Sequence, residues 1–267
     1  MAKISIKIES RVLGEPNEII VYIPKKIQAK MKSTGPKDEE TGVDQAKVPY
    51  NVIYLLHGKN GDANAFFDFT NVMAYADKHE VITISTSVKN SFYTNMVYGE
   101  RYFDYLSVEV PETLASLLNL NIDPMHTYIL GYSMGGLGAL KMGLTYPERF
   151  RGIASLSGSL RSMEGNKRKI KDEDRRDLYL AFGDCEEISA QENDLFQLLE
   201  KAMEKQVNLP EIYLYCGRKD GLSEVNRAYH EYLEEKGVSH TYVEDDGGHE
   251  FERWDEQIKE YFKIIHK

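Results

Sequence analysis

Cysteine and long apolar runs are scarce in this chain, and each scarcity excludes a class of protein. Only two cysteines, Cys185 and Cys216, occur among 267 residues. They are too few for the disulfide framework of a small secreted scaffold, and they lack the spacing of a metal site. No stretch of eighteen apolar residues is present, and the opening MAKISIKIES lacks the apolar centre of a signal peptide. We therefore expect two buried thiols in a soluble cytoplasmic protein.

Positive charge is also in short supply. The chain has 33 lysines and arginines against 43 aspartates and glutamates, which gives a formal net charge of −10. Nucleic acid and anionic membranes both repel a chain of this charge. The charge balance therefore argues against a nucleic-acid or membrane partner, and it leaves homo-oligomer formation open.

The order of the predicted elements indicates an α/β fold. KISIKIES and NEIIVYIP alternate with period two and predict an antiparallel pair of strands at the start. Continuous apolar runs follow, a pattern typical of strands buried on both faces. Because helix-like segments separate these runs, we expect a mainly parallel twisted sheet of about eight strands with helices on both faces. The runs are VIYLLHG, VITIST, TYILGY, GIASLSG, LYLAFG and EIYLYCG, and the helices are expected over 63–79, 111–120, 137–146, 190–206 and 224–236.

Two polar segments interrupt this alternation. Residues 27–47 have no apolar period, and we expect a mobile surface excursion there, because too little chain precedes them to form a domain. Residues 161–177, RSMEGNKRKIKDEDRRD, are dense in both charges. They are interpreted either as a solvated helical loop or as a small cap beside the active site. Residues 1–267 are thus expected to form a single domain with these two surface insertions.

The segment YILGYSMGG, residues 128–136, contains the pattern Gly-x-Ser-x-Gly. The pattern is weak by itself, and the alternative is a glycine-rich turn that happens to contain a serine. Here, however, an apolar strand ends at the serine and LGALKMGLTY predicts a helix directly after it. This setting is that of a nucleophile elbow, in which flanking glycines allow a tight turn and the hydroxyl projects from the edge of the sheet. We predict that Ser133 is a nucleophile.

A nucleophilic serine needs a base that an acid orients. In this arrangement the chain order is serine, acid, histidine, each after a strand. His249 follows the last predicted strand in the loop EDDGGHEF and is the predicted base. His230 lies within a predicted helix, His240 opens a strand at the opposite edge, and His266 is terminal.

The acid is expected between Ser133 and His249, after a strand. Asp220 follows EIYLYCG and is the predicted acid, although a helix cap is a common task for such an aspartate. Asp184 follows LYLAFG and is the rival. Asp245 and Asp246 lie close to the histidine along the chain, so only a bent loop brings either of them inward.

An oxyanion hole needs two backbone amides that point at the developing negative oxygen. The residue after the nucleophile, Met134, normally supplies one. The loop LLHGKNGD after an early strand is suited to supply the other, with Gly58 at its turn and the amide of Lys59 as the donor. His57 is interpreted as a residue that braces this loop, and a second base is the alternative.

Taken together, these motifs resemble the esterase D-like (putative esterase) family of α/β-hydrolases, and most closely the tributyrin-type bacterial esterases. The similarity covers nearly the whole chain. LLHGKNGD resembles the oxyanion loop of the family, SFYTNMVYGERYFDYLSVEVP its aromatic segment, GYSMGGLGALKMGLTYPERF its elbow and helix, and GGHEFERWDEQI its histidine loop. The resemblance implies an α/β-hydrolase fold and gives Ser133, Asp220 and His249 the triad positions.

The resemblance has two departures. Glutathione thioester hydrolases carry a cysteine near the oxyanion loop, whereas this loop is HGKNGDANAF. The segments 27–47 and 161–177 are also longer than expected for short tributyrin-type enzymes. The resemblance therefore does not predict the size of the acyl group that the site accepts.

The sequence thus predicts a serine esterase that forms an acyl-serine intermediate and needs no metal or organic cofactor. Its substrate is expected to be a small-molecule ester with a short acyl, acyl-carbohydrate or feruloyl group. Tyr93, Tyr98 and Trp254 are candidates for lining the substrate pocket, with ordinary packing as the competing explanation. The alternatives are an acyltransferase with the same triad, an S-formylglutathione-type thioesterase and a non-catalytic binding member of the fold.

Overall fold

One sheet organises the part of the chain that this computed structural model describes, namely residues 1–33, 50–118, 120, 122–173, 175–186 and 192–265. The eight strands found in those ranges are β1 Ala2–Glu9, β2 Pro16–Ile23, β3 Asn51–Leu56, β4 Val81–Thr86, β5 Thr127–Tyr132, β6 Gly152–Leu156, β7 Glu211–Tyr215 and β8 His240–Val243. They lie side by side in the order β1-β2-β4-β3-β5-β6-β7-β8. β2 pairs antiparallel with β1 and β4, and all other pairs are parallel. The predicted sheet is confirmed.

Helices cover both faces of the sheet. Apolar side chains alternate along β2, so that Ile19 and Val21 belong to one core cluster and Ile20 and Tyr22 to the other. The α-helices of five or more residues in the described ranges are α1 Lys25–Ser33, α2 Ala65–Phe69, α3 Val72–His79, α4 Val110–Leu118, α5 Met134–Thr145, α6 Met163–Glu173, α7 Arg176–Phe182, α8 Leu195–Glu204, α9 Ser223–Glu235 and α10 Phe251–Ile265. Helices α2, α3 and α10 pack on the second cluster, and α1, α4, α5, α8 and α9 pack on the first.

The predicted helices are present with shifted bounds. The helix expected over 63–79 is divided into α2 and α3, and the one over 111–120 continues from a π-helical segment, Tyr105–Glu109. Residues 190–191 of the helix expected over 190–206 lie outside the described residues, and α8 begins at Leu195. No helix in the described ranges is long and apolar enough to cross a membrane.

The prediction of a strand at LYLAFG is wrong, because these residues belong to α7. Leu178, Ala181 and Phe182 are buried, whereas Tyr179 is exposed. The buried positions follow the i, i+3, i+4 spacing of one helix face. A short apolar run cannot be assigned to a strand or a helix by its composition alone.

The predicted insertions are both partly helical. α1 occupies the start of the segment 27–47 and buries Ile27, so the expected aperiodic loop is wrong there. Residues 34–47 lie outside the described residues. Within the segment 161–177, Met163–Glu173 form α6 and Arg176 and Asp177 begin α7, with Met163 and Asn166 buried. Residue 174 lies outside the described residues.

The carboxyl ends of the parallel strands meet at one edge of the sheet. Loops from that edge normally build the site of an open α/β sheet. The loop after β3, the junction of β5 with α5, and the loops after β6, β7 and β8 all begin there. These five connections position the candidate site.

Candidate active site

Ser133 forms the whole turn between β5 and α5. Its backbone has φ +55° and ψ −119°, a region that side chains rarely adopt. Backbone hydrogen bonds on both sides of the residue hold this conformation. The amide of Ser133 donates to the carbonyl of Leu156 at 2.8 Å, and its carbonyl accepts from the amides of Gly136 at 3.0 Å and Ser159 at 3.1 Å. The turn is therefore fixed from both neighbouring elements, as a nucleophile elbow requires.

Close backbone contacts explain the glycines around this turn. A Cβ on Gly135 would lie 1.9 Å from the carbonyl oxygen of Leu56, at the end of β3. A Cβ on Gly131 would lie 2.0 Å from the carbonyl oxygen of Gly135. Only glycine lets β3, β5 and α5 approach this closely.

A continuous set of hydrogen bonds links Ser133 to His249 and Asp220. Nε2 of His249 lies 2.9 Å from Oγ of Ser133, and Nδ1 lies 2.8 Å from Oδ2 of Asp220. Because a carboxylate only accepts, Nδ1 carries the proton and Nε2 is left to accept from the hydroxyl. The Asp220 side chain is 1% exposed and that of His249 is 38% exposed. The arrangement can remove a proton from Ser133 in a cleft open to substrate.

Asp220 is held as an anion by its hydrogen bonds. Burial by itself raises its pKa, but hydrogen bonds from His249 and the amide of Leu222, together with the nearby Ser157 hydroxyl, outweigh this effect and hold the pKa below its ordinary value. An ionised Asp220 can stabilise a protonated His249.

The rival aspartates lie elsewhere. Asp184 is exposed in the turn after α7, because LYLAFG is a helix and does not deliver it to the edge of the sheet. Asp245 accepts from the hydroxyl of Tyr215 at 2.9 Å, and Asp246 pairs with Arg218 at 2.8 Å. Of the predicted candidates, the structure places Asp220 against the histidine.

Ser157 supports the acid and was not singled out by sequence reasoning. It follows β6, has φ +48°, and its hydroxyl helps to lower the pKa of Asp220. The same hydroxyl accepts from Nε1 of Trp254 at 3.0 Å. Its position near the end of the predicted strand GIASLSG could have identified it as a site residue, because the carboxyl ends of the parallel strands meet at this edge of the sheet.

The loop after β3 lies against Ser133. A Cβ on Gly58 would lie 3.2 Å from Cβ of Ser133. In the ranges that the structure covers, the amides of Lys59 and Met134 make no hydrogen bond to another residue. Neither amide is therefore occupied, and their role as the donors of an oxyanion hole stays a prediction.

His57 braces this loop from below. It is fully buried, Nδ1 donates to the carbonyl of Gly58 at 2.8 Å, and Nε2 accepts from the amide of Val88 at 3.0 Å. Burial lowers its pKa, so the ring is neutral. Because both ring nitrogens are occupied, His57 cannot serve as a second base.

The three aromatic candidates have different positions. Tyr93 is fully buried, and its hydroxyl donates to the carbonyl of His57 at 2.9 Å, so it supports the loop instead of lining a pocket. Tyr98 is half exposed and stacks on Tyr179 of α7 at 5.2 Å, outside the cleft. Trp254 does border the cleft, and its ring meets that of His249 edge-on at 4.8 Å.

A cleft of about 300 Å³ opens beside Ser133 and His249. Trp254 stacks on Tyr132 at 4.6 Å, and Phe69 stacks on Phe251 at 4.8 Å, so aromatic rings form much of its wall. A larger cavity of about 560 Å³ lies around Lys141 of α5 and contacts none of the three linked residues. Of these two cavities, the smaller cleft is therefore the one that borders Ser133 and His249.

Comparison with known proteins identifies relatives over the whole chain. A family model described as putative esterase matches residues 36–264. An acetyl esterase of Caldicellulosiruptor saccharolyticus is 29% identical over 277 aligned residues, which span 100% of this chain and 99% of that protein. Two Staphylococcus aureus structures, each 26% identical, cover 100% of this chain. They are the fluorophosphonate-binding serine hydrolase FphF, with TM-score 0.83 over 98% of its chain, and FrmB, described as an S-formylglutathione hydrolase, with TM-score 0.81 over 99%.

Proposed function

The chain belongs to the esterase family of that match and is a serine carboxylic ester hydrolase, and from this premise we propose that it works through an acyl intermediate on Ser133. The observation that carries the proposal is the hydrogen-bonded series from Asp220 through His249 to Ser133, with distances of 2.8 and 2.9 Å. A serine hydroxyl is a weak nucleophile, and a base oriented in this way activates it.

In the first half of the reaction Oγ of Ser133 attacks the ester carbonyl carbon while Nε2 of His249 takes the hydroxyl proton. Asp220 stabilises the imidazolium that results. The carbonyl oxygen becomes an oxyanion, to which the amides of Lys59 and Met134 donate. Loss of one such donor would raise the barrier by roughly 3 kcal/mol. The imidazolium then gives its proton to the alcohol as the carbon–oxygen bond breaks.

In the second half a water molecule replaces the alcohol. His249 takes a proton from this water as its oxygen attacks the acyl carbon. The same two amides stabilise the second oxyanion. The carboxylic acid leaves as the proton returns to Ser133, which restores the enzyme without a cofactor.

A short acyl group fits the cleft best. Its volume of about 300 Å³ is at the lower end of the range for small-molecule pockets. Aromatic walls favour an apolar acyl chain or a flat alcohol. The relative named acetyl esterase supports the same choice. We therefore propose acetyl and other short-chain esters as the substrate class.

A substrate panel tests this proposal. Nitrophenyl acetate, butyrate and octanoate should be compared with methyl ferulate and acetylated xylan, with Ser133→Ala as the blank. The expected result is a kcat/KM that is highest for acetate or butyrate and falls steeply for octanoate. Efficient cleavage of ferulate alone would instead assign a larger aromatic acyl group.

Thioester hydrolysis is the second candidate, since FrmB is described as an S-formylglutathione hydrolase. Both cysteines of this chain are buried, and neither is near the oxyanion loop in sequence. Hydrolysis of S-formylglutathione with a kcat/KM above that for nitrophenyl acetate would favour this candidate. We expect the opposite order.

A further inference from the structure

The side chain of Lys59 makes a contact that its backbone role does not require. Its Nζ lies 2.8 Å from Oδ2 of Asp177, at the start of α7. Nε and Nη2 of Arg175 each donate to the same carboxylate at 2.8 Å. One carboxylate therefore holds two cations, one from the loop after β3 and one from the α6–α7 insertion.

This ion pair is more shielded than an ordinary surface pair. The Asp177 side chain is 15% exposed and that of Lys59 41% exposed. Burial raises the pKa of Asp177, but hydrogen bonds from Arg175 and Lys59 outweigh it and hold the pKa far below the ordinary value. A carboxylate with a two-pronged arginine contact has a fixed orientation. The carboxylate that Lys59 contacts is therefore ionised and held in one orientation.

The helix that carries Asp177 is itself anchored. Phe182 of α7 is buried and packs against Phe92 with ring centres 5.6 Å apart. The amide of Val97 donates to the carbonyl of Ala181 at 3.1 Å, and that of Tyr98 donates to Leu180 at 2.9 Å. Asp177 thus projects from an element that is fixed on the core.

The other side of the loop has a second tether. Asn60 has φ +63°, and its amide donates to Oδ1 of Asn90 at 2.8 Å. Nδ2 of Asn90 donates back to Oδ1 of Asn60 at 2.9 Å. Lys59 therefore lies between Gly58, which approaches Ser133, and a residue held by its own hydrogen bonds. The carbonyl of Gly58, which belongs to the same peptide unit as the Lys59 amide, accepts from Nδ1 of His57 at 2.8 Å and from the amide of Gly61 at 3.1 Å. The ion pair of the Lys59 side chain adds a restraint to this peptide from the α6–α7 insertion.

We propose that Asp177 is a positioning residue for the oxyanion hole: by holding the Lys59 ammonium, it keeps the Lys59 amide directed at the developing oxyanion. The inference rests on the proposed function of Ser133 and extends it to the α6–α7 insertion. Oxyanion donors are effective because they are preorganised. A donor that can rotate away binds the transition state less well, while binding of the neutral ester changes little.

Asp177→Asn tests the inference, because it keeps the shape of the side chain and removes its charge. With nitrophenyl acetate we expect kcat to fall about tenfold and KM to change less than about twofold. The fall is smaller than the 10²–10³-fold loss typical of a deleted donor, since the amide remains. Affinity for a trifluoromethyl ketone, whose adduct carries an oxyanion, should fall in parallel with kcat.

Glu164→Gln is the matched control. It removes the exposed ion pair of Glu164 with Arg168 on α6, a surface pair of the kind that contributes little. We expect wild-type kcat, KM and inhibitor affinity. A tenfold loss of kcat in this variant as well would assign the effect to the insertion as a whole and would overturn the role of Asp177.

Lys59→Met removes the other partner of the same ion pair. It tests the positioning role of Asp177 even if the Asp177→Asn variant does not fold. It keeps the amide and removes the ammonium, so the same fall in kcat is expected. The double variant should lose no more than either single variant, because each removes the same interaction. Wild-type kcat in either folded variant, or losses that multiply, would overturn the inference.

The Ser133→Ala variant tests the proposed function separately from the positioning role of Asp177. Activity that survives in Ser133→Ala would contradict the acyl-serine proposal. An inactive Ser133→Ala together with a fully active Asp177→Asn would contradict only the positioning role.

Discussion

Ser157 lies between Asp220, the proposed acid, and Trp254 of the last helix. Its hydroxyl helps to lower the pKa of Asp220 and accepts from Nε1 of Trp254 at 3.0 Å. Because the Asp220 side chain is 1% exposed, water cannot readily replace a lost donor. The orientation of the acid therefore depends on a residue that takes no part in the proton transfers.

Ser157→Ala should weaken catalysis and stability together. The change leaves the buried Nε1 of Trp254 without its acceptor and removes a hydroxyl that helps to keep Asp220 ionised. An unsatisfied buried donor costs about 1–3 kcal/mol, so we expect kcat to fall roughly tenfold and the free energy of unfolding to fall by about 1–2 kcal/mol. Steady-state kinetics and urea denaturation measure the two quantities. Ser162→Ala, whose hydroxyl accepts from the amide of Gly165, is the control and should keep wild-type kcat. A Ser157→Ala enzyme of wild-type kcat would contradict the account.

His57 should make stability depend on pH. Its folded pKa is lowered by burial, so the unfolded chain binds more protons as the pH falls towards and below the ordinary histidine value of about 6.5. The stability that the neutral ring provides is thus present above that pH and is lost below it. His57→Gln should be less stable at pH 7 but should lose less stability between pH 7 and pH 5. Urea denaturation at both values checks this, and equal losses in the two proteins would contradict it.

The residues that sequence reasoning identified share one property. Ser133, Asp220 and His249 each follow a strand, and topology alone brings such residues to one edge of a sheet. Ser157 follows a strand too, but its role depends on contacts with Asp220 and Trp254, which no local pattern encodes. Likewise, an aromatic side chain does not reveal its direction from sequence, so Tyr93 and Trp254 were equal candidates although one is fully buried and the other borders the cleft.

At the scale of the element, the elbow depends on the close approach of three backbones. Any side chain at Gly135 would place its Cβ 1.9 Å from the carbonyl oxygen of Leu56, and backbone cannot move aside as a flexible side chain can. The ends of β3 and β5 would have to separate. Such a shift would displace both the nucleophile and the oxyanion loop.

Gly135→Ala should therefore fail to fold or should lose activity completely. Gly165→Ala in α6 is the matched control, since its Cβ would meet no atom closer than 3.5 Å. Alanine favours helix over glycine by about 1 kcal/mol, so this control should unfold at an equal or slightly higher temperature. Thermal unfolding and esterase activity distinguish the two. A stable, active Gly135→Ala protein would contradict the packing described for the elbow.

α7 shows where a pattern of elements is ambiguous. LYLAFG has the composition of a buried strand, yet Leu178, Ala181 and Phe182 face the core as one side of a helix. The misassignment also made Asp184 a rival acid, because a strand there would have ended at the site. Long strands and helices with a clear period were predicted correctly, whereas this run of six residues fits either period.

At the scale of the whole molecule, the sheet joins parts of the chain that are far apart in sequence. Ser133 and His249 are separated by 116 positions, and the order of the strands brings them within 2.9 Å. The fold class and the proximity of Ser133 to His249 were predictable from the sequence, because parallel strands all end at the same edge of a sheet. The link from Lys59 to Asp177 was not, because it joins a loop to an insertion whose path no periodicity fixes.

The most direct test of the account is the site of covalent labelling by a fluorophosphonate. Oγ of Ser133 should displace fluoride from phosphorus, so that peptide mapping finds one adduct per chain on the peptide that contains Ser133. Esterase activity should fall in proportion to labelling, and Ser133→Ala should remain unlabelled and inactive. An adduct on another residue, or full activity in completely labelled protein, would contradict the proposal that Ser133 is the nucleophile.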